Sequence, residues 1–199
     1  MNIALYDPKL GYYSAGLEKF GVAGDFITAP EISPFFGQTI VNTILPILEK
    51  FKQQGLPTRI LEFGAGTGSL AKSILIELHR RGFDLDEYQM IELSPDLTKR
   101  QQSLLQDVCH QNKIHTQCNW LSSFPDHIEG VILANEVLDA IPCERICLHN
   151  DTWHHLGIAV TPHASPFLLK DSVGPALSTT ELNDLSPVLR NTQAFSDGY

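Results

Sequence analysis

The chain has 199 residues, 43% of them hydrophobic and 19% charged, with 14 Lys and Arg against 23 Asp and Glu. That length suits one domain or a domain and a half, and that apolar share excludes global disorder. The formal charge of -9 excludes a nucleic-acid track, which needs clustered Lys and Arg; Arg80-Arg81 and Lys99-Arg100 are isolated pairs on expected helix faces.

The opening Met1 to Asp7 has neither a basic region nor a long apolar one, so no targeting segment is expected. No stretch approaches the ~20 apolar residues of a membrane span, so no membrane insertion is expected. Tyr6 to Pro34 is rich in Gly, Pro and aromatics and reads as an irregular cover segment, in which Tyr12 and Tyr13 are packing residues. From Pro34 to Gln54, apolar residues at Phe36, Ile40, Val41, Ile44, Leu45, Leu48 and Phe51 predict an amphipathic helix, kinked at Pro46 and ended by Gly55 and Pro57.

Arg59 to Phe63 then reads as a short buried strand, followed at once by Gly64-Ala65-Gly66-Thr67-Gly68 and a helix from Ser69 to Arg81 that Gly82 stops. Tyr88 to Glu92 is a second strand, and Ser94-Pro95 supplies an N-cap and a first-turn proline for a helix towards Val108. Strands are expected again at Ile114 to Cys118 and Gly130 to Ala134. Such alternation predicts right-handed βαβ units and a parallel sheet flanked by helices. After Pro142, short runs at Arg145–Leu148, Trp153–Val160 and Phe167–Leu169 predict a small antiparallel meander. The tail from Val173 offers one helical candidate, Thr180 to Leu185. The expected organisation is a cover segment and helix over 1–54, a Rossmann-like core over 55–142, and an antiparallel insertion with a tail over 143–199.

Cys109, Cys118, Cys143 and Cys147 are too sparse for a disulfide scaffold, and the eight histidines show no CxxC or HExxH spacing. Ordinary thiols in a reducing compartment are expected, and no metal site.

The chemistry concentrates around the glycine loop. A dinucleotide fingerprint is G-x-G-x-x-G/A, but here Gly64, Gly66 and Gly68 make G-x-G-x-G, with Glu62 two residues ahead. A carboxylate at the strand end suits a cation and repels a phosphate. The spacing therefore resembles the S-adenosylmethionine loops of class I methyltransferases, whose cofactor carries a sulfonium and an ammonium. It disfavours an NAD-dependent oxidoreductase. Glu62, Gly64, Ala65, Gly66 and Gly68 are the candidate loop contacts. Glu92, 24 residues after Gly68, ends the second strand, where a carboxylate can accept both ribose hydroxyls. Asn135, after the fourth strand, is a further cofactor contact. Glu136 and Asp139 lie three apart at the same sheet edge and would share a pocket if that segment is helical, where they could polarise an arginine guanidinium. Asp139 reads equally well as a helix cap. Trp120 reads either as an adenine-stacking residue or as core.

Four segments together resemble the MidA-type methyltransferases: Ala4-Leu5-Tyr6-Asp7-Pro8 through Gly11-Tyr12-Tyr13, Gly24-Asp25-Phe26-Ile27-Thr28-Ala29-Pro30-Glu31-Ile32-Ser33, the glycine loop, and Asn135-Glu136 through Asp139-Ala140-Ile141-Pro142. Ser196 to Tyr199 extends the likeness. Mitochondrial members of that family serve as complex I assembly factors and dimethylate an arginine of a complex I subunit. The resemblance implies a class I Rossmann-like fold and S-adenosyl-L-methionine as cofactor, held by Glu62, Gly64, Gly66 and Glu92, with Asn135 and Glu136 at the mouth. It also implies that Asp25 to Glu31 folds over the cofactor, that a protein arginine is accepted near Glu136 and Asp139, and that the chain works in the bacterial cytoplasm or, in a eukaryote, the mitochondrial matrix. The other class of reading is a binding or assembly factor built on the same fold without catalysis. Family members are longer, and a chain ending at Tyr199 lacks the remaining parallel strand and closing hairpin, so a C-terminally shortened form with an open edge on its fourth strand is expected.

Overall fold

A computed structural model describes residues 1–7, 9–13, 27–161 and 168–189, the side chains of the last helix only as far as 185. Pro8, Gly24 to Phe26, Phe167 and Ser196 to Tyr199 lie outside the described residues. Two compact units result, Asn2–Pro142 and, with Met1, Cys143–Tyr199.

The first unit opens with two short helices, α1 (Asn2–Tyr6), just ahead of the stretch read as irregular, and α2 (Ala29–Ile32) within it. Pro30 near the start of α2 explains how so short a turn forms, since its ring fixes φ where a helix begins. Helix α3 (Phe35–Gln53) buries Val41, Ile44 and Leu48, a spacing of three and four that forms one stripe, and continues through Pro46. Then follow β1 (Arg59–Phe63), α4 (Ser69–Arg80), β2 (Glu87–Ile91), α5 (Pro95–Asn112), β3 (Gln117–Leu121) and β4 (Val131–Ala134). All pairings are parallel, in the order β3-β2-β1-β4. Among the described residues β4 is paired on one side only, and its Ile132 is 51% exposed.

Helix α5 starts on Ser94, whose Oγ accepts the Leu97 amide at 3.4 Å, and stops on Lys113 at φ 57°, a left-handed conformation. This stop explains why β3 begins at Gln117, three residues later than expected. Ile114 has the apolar character of a strand residue, but its amide closes the helix end onto Cys109, and its side chain is buried in the core. That core unites α3, α4 and α5 with the sheet through Leu48, Ile60, Ile74, Leu78, Tyr88, Met90 and Leu105.

Strand register brings the chemistry-bearing residues to one place. Phe63 pairs with Ile91 on one side and Ala134 on the other, so β1, β2 and β4 end in one row. Gly64, Glu92 and Asn135, the next residues of each strand, therefore emerge together at the carboxyl edge, where open α/β sheets bind ligands.

The second unit is an antiparallel sheet of β5 (Ile146–His149), β6 (Thr152–Val160) and β7 (Leu169–Ala176), followed by α6 (Thr179–Leu189). Asn150 and Asp151, at φ 50° and 60°, form the tight hairpin between β5 and β6. The expected tail from Val173 is instead the second half of β7. Gly174 and Pro175 argue against a strand, yet Pro is tolerated here because β7 is at the sheet's edge. Arg145 holds Asp171 by a two-pronged ion pair of 2.8 and 3.0 Å.

Candidate functional site: an acidic cavity at the carboxyl edge

A cavity of about 280 Å³ opens at the row where β1, β2 and β4 end. Of the candidate residues, Glu62, Gly64, Ala65, Gly66, Glu92, Asn135 and Glu136 line it, while Gly68 and Asp139 do not. Gly68 instead sits at the N-cap of α4 with φ 85°.

The loop's shape comes from its glycines. Gly64 and Gly66 both have positive φ, 58° and 55°, which L side chains rarely adopt. Gly64 donates its amide to Ile91 O at 2.9 Å, tying the bend to β2. A Cβ at Gly66 would meet nothing within 4 Å, so main chain is bare to the cavity there.

Glu62 is 2% exposed and accepts the Tyr88 hydroxyl at 2.6 Å. Burial pushes its carboxyl up from 4.5 to about 7; the Tyr88 bond opposes this and the negative Glu92 adds to it. Glu92 accepts the Ser94 amide at 2.9 Å on one oxygen and Gln101 Nε2 at 3.2 Å on the other. Burial raises its pKa too, against those hydrogen bonds. Two carboxyls whose ionisation burial opposes, at the rim of one cavity, stand to gain from a cationic guest.

The segment Asn135 to Pro142 holds only a 3₁₀ turn, Leu138–Ala140. Glu136 stands before it at φ 51°, and without a regular helix the three-residue spacing does not bring both acids to the wall. Asp139 still acts on the rim electrostatically, since its charge raises the pKa of Tyr13 and Tyr6 behind the larger effect of their burial.

Four contributors were not among the candidate site residues, although the resemblance placed Glu31 in a segment folding over the cofactor. Tyr6 and Tyr13 line the cavity, stacked with ring centres 5.5 Å apart, and the Tyr6 hydroxyl donates to Ala140 O at 2.8 Å. Glu31 lines it as well. Gln101 is fully buried behind the loop, with Nε2 donating to Gly66 O at 2.8 Å and Oε1 accepting Trp120 Nε1 at 2.8 Å. A signal for Gln101 existed: it shares the buried stripe of α5 with Leu105 and Val108, and an amide on an apolar stripe needs partners. Trp120 is accordingly a β3 residue packed against the core and is absent from the cavity wall. Replacing Gln101 with Leu strands the indole N–H and the Gly66 carbonyl. The expected cost is about 2 kcal/mol of unfolding free energy, read by urea denaturation followed through tryptophan fluorescence.

Residues 39–199 match the model of a family described as an S-adenosyl-L-methionine-dependent methyltransferase. The chain belongs to this methyltransferase family. Its relatives include the mitochondrial protein arginine methyltransferase NDUFAF7 homolog of Drosophila melanogaster, 31% identical over 80% of this chain and 40% of that one. Protein arginine methyltransferase NDUFAF7 of Danio rerio, also mitochondrial, is 31% identical over 81% of this chain and 42% of that one. A crystal structure of a superfamily member from Burkholderia thailandensis, bound to S-adenosyl-homocysteine, superposes with TM-score 0.70 at 34% identity, covering 93% of this chain and 46% of that one. The chain thus spans less than half the length of each of these methyltransferase relatives. Among its described residues no helix is long and apolar enough to cross a membrane, and none of the His, Cys, Asp and Glu form a group able to hold a metal ion.

Proposed function

We propose that this chain binds S-adenosyl-L-methionine in the cavity and takes part in methyl transfer to an arginine of a protein substrate. The observation that carries the reading is the charge of the wall. Glu31, Glu62, Glu92 and Glu136 line the cavity, and among the described residues no Lys, Arg or His does. A diphosphate in such a place would meet four carboxylates and no counterion, whereas the donor's ammonium and sulfonium are attracted to it. The bare main chain at Gly66 leaves room for close approach, so the residues present fit the cofactor.

In this reading Glu62 takes the donor's ammonium, Gly64, Ala65 and Gly66 line its methionine portion, with Gly68 shaping the start of α4 behind them, and Glu92 accepts the ribose hydroxyls. Leu93 and Leu97 offer apolar wall to the adenine, and Asn135 orients the cofactor from β4's end. When bound, the cofactor supplies an electrophilic methyl group on a positive sulfur. The chain's own contribution is positioning and charge: Glu136 would hold the acceptor guanidinium, with Asp139 adding negative charge from behind the wall, drawing its positive charge away from the attacking nitrogen, and the Tyr6–Tyr13 pair would give its plane an aromatic face. The acceptor we propose is a subunit of a respiratory complex I-type assembly, as the resemblance implies. The compartment is a reducing one, bacterial cytoplasm or mitochondrial matrix, in keeping with four free cysteines.

Calorimetry with S-adenosyl-L-methionine and its demethylated product tests the binding, and mass spectrometry of candidate complex I subunits incubated with methyl-labelled donor tests the transfer. Binding of both cofactor forms with label on arginine is the expected result. Binding without label on any protein would favour the non-catalytic assembly role, and no binding of either form would end the cofactor assignment.

A further inference from the structure

The first turn of a helix leaves amides without intrahelical partners and carries partial positive charge, and in Rossmann-like nucleotide binders that turn takes the diphosphate. In this chain a carboxylate from elsewhere in the same unit already stands there. Glu31, on α2, accepts hydrogen bonds through one oxygen from the Thr67 hydroxyl and, at 3.4 Å, from Ser69 Oγ, the two hydroxyls that flank Gly68 at the start of α4. Those hydroxyls lie 2.9 Å apart, so with Thr67 donating to the carboxylate, the single Ser69 proton can go either to Glu31 or to Thr67 Oγ1. Glu31, Thr67 and Ser69 all line the cavity, so this carboxylate is part of the wall that a guest meets.

We infer that Glu31 is the residue that sets the cavity's choice of nucleotide, rejecting those that bear phosphate and admitting a cationic one. Its charge offsets the positive end of α4, the feature that would otherwise draw a diphosphate to a glycine loop. It would also repel a phosphate placed at that turn, since like charges about 4 Å apart near a protein surface cost more than a tenfold change in affinity. A donor with a net positive charge loses nothing by this. The role is distinct from those of Glu62 and Glu92, which end strands and are the acids that the loop's spacing announces. Glu31 comes from α2, and no spacing in the loop requires it. The inference rests on the cofactor reading and deepens it.

Titration calorimetry of the whole chain with S-adenosyl-L-methionine, S-adenosyl-homocysteine and ADP, on wild type, Glu31→Gln and Glu31→Asp, tests it. Glu31→Gln should raise the affinity for ADP relative to S-adenosyl-L-methionine by at least about tenfold, and Glu31→Asp, which keeps the charge, should retain the wild-type ranking. An unchanged ratio in Glu31→Gln overturns the inference, and so does an equal shift in Glu31→Asp, which would make shape the cause in place of charge. If circular dichroism shows Glu31→Gln unfolded, Glu31→Asn, the neutral counterpart of Glu31→Asp, takes its place. The ratio should then move in the same direction, and constancy there overturns the inference equally. Failure of the wild type to bind either sulfur compound removes the cofactor reading itself. Binding by the wild type with no change of ratio in the variants removes this inference alone.

Discussion

Between pH 5 and pH 8 the unliganded chain is expected to lose stability while its affinity for S-adenosyl-L-methionine rises, and Glu62→Gln is expected to flatten both trends. The cause is the buried carboxyl whose pKa stands at about 7 against an ordinary 4.5. Below about 4.5 Glu62 is protonated in folded and unfolded chains alike, and the preference of the fold for the neutral form is fully expressed. As pH rises, the unfolded chain ionises first and gains free energy that the folded chain cannot match until about pH 7. The loss approaches roughly 3 kcal/mol and is complete just above that pH. A cationic ligand reverses the preference, because it stabilises the ionised form in place. Binding at pH 6 should therefore release close to one proton, seen as a dependence of the calorimetric heat on the buffer's ionisation enthalpy, and affinity should be about tenfold weaker there than at pH 8. Glu62→Gln preserves a partner for the Tyr88 hydroxyl but has no proton to give up. It should bind the donor more than tenfold more weakly than wild type at pH 8 and show a much shallower pH slope in urea denaturation midpoints between pH 5 and 8, the remainder belonging to Glu92, whose pKa burial also raises. A slope as steep as the wild type's would assign the titration to another group.

The second large effect belongs to Gly64. A side chain there is strained by φ 58° wherever it points, and its Cβ would lie 2.8 Å from Val137 Cγ1. Gly64→Val adds a β-branched side chain to both problems. It is expected to cost roughly 4 kcal/mol, combining about 1–3 for the left-handed backbone with a similar amount for overpacking. Ligand binding should go with it, since the bend hangs from the Gly64 amide bonded to β2. A double-mutant cycle separates the contributions: Gly64→Ala with Val137→Ala should recover the steric share and leave the conformational share in place. Full recovery in denaturant midpoints would mean that the backbone strain counts for nothing.

The units that hold the site were readable because several local signals agreed. β1, α4, β2 and the start of α5 are marked by a change from strand to helix period, by the Ser94-Pro95 cap and by Gly82, and their bounds fall within a residue of expectation. Where one signal stood alone it misled. Ile114 looked like strand and is the plug under the end of α5, while Gly174 and Pro175 looked like tail and are edge strand. At the site, Glu62 and Glu92 were legible because each sits at a strand end beside the loop. Glu31 was legible only through the family resemblance, and Gln101 only as an amide on an apolar stripe, because the partners that define them lie 36 to 38 and 35 residues away in the chain. No periodicity reaches that far. Asp139 shows the converse, since its spacing from Glu136 carries meaning only on a regular helix, and the chain there makes a single tight turn.

The position of β1 in its sheet has a consequence for motion. It is hydrogen-bonded on both flanks and buries Ile60, Leu61 and Glu62, whereas among the described residues β3 and β4 stand at the margins. Amide protons of β1 should therefore exchange with deuterated solvent only through global unfolding, while those of β4 exchange through local fraying. The glycine bend is thus moored to the slowest-opening part of the molecule, and the acidic pair in front of Pro142 to one of the fastest. A guest would meet a rigid floor and an adaptable rim.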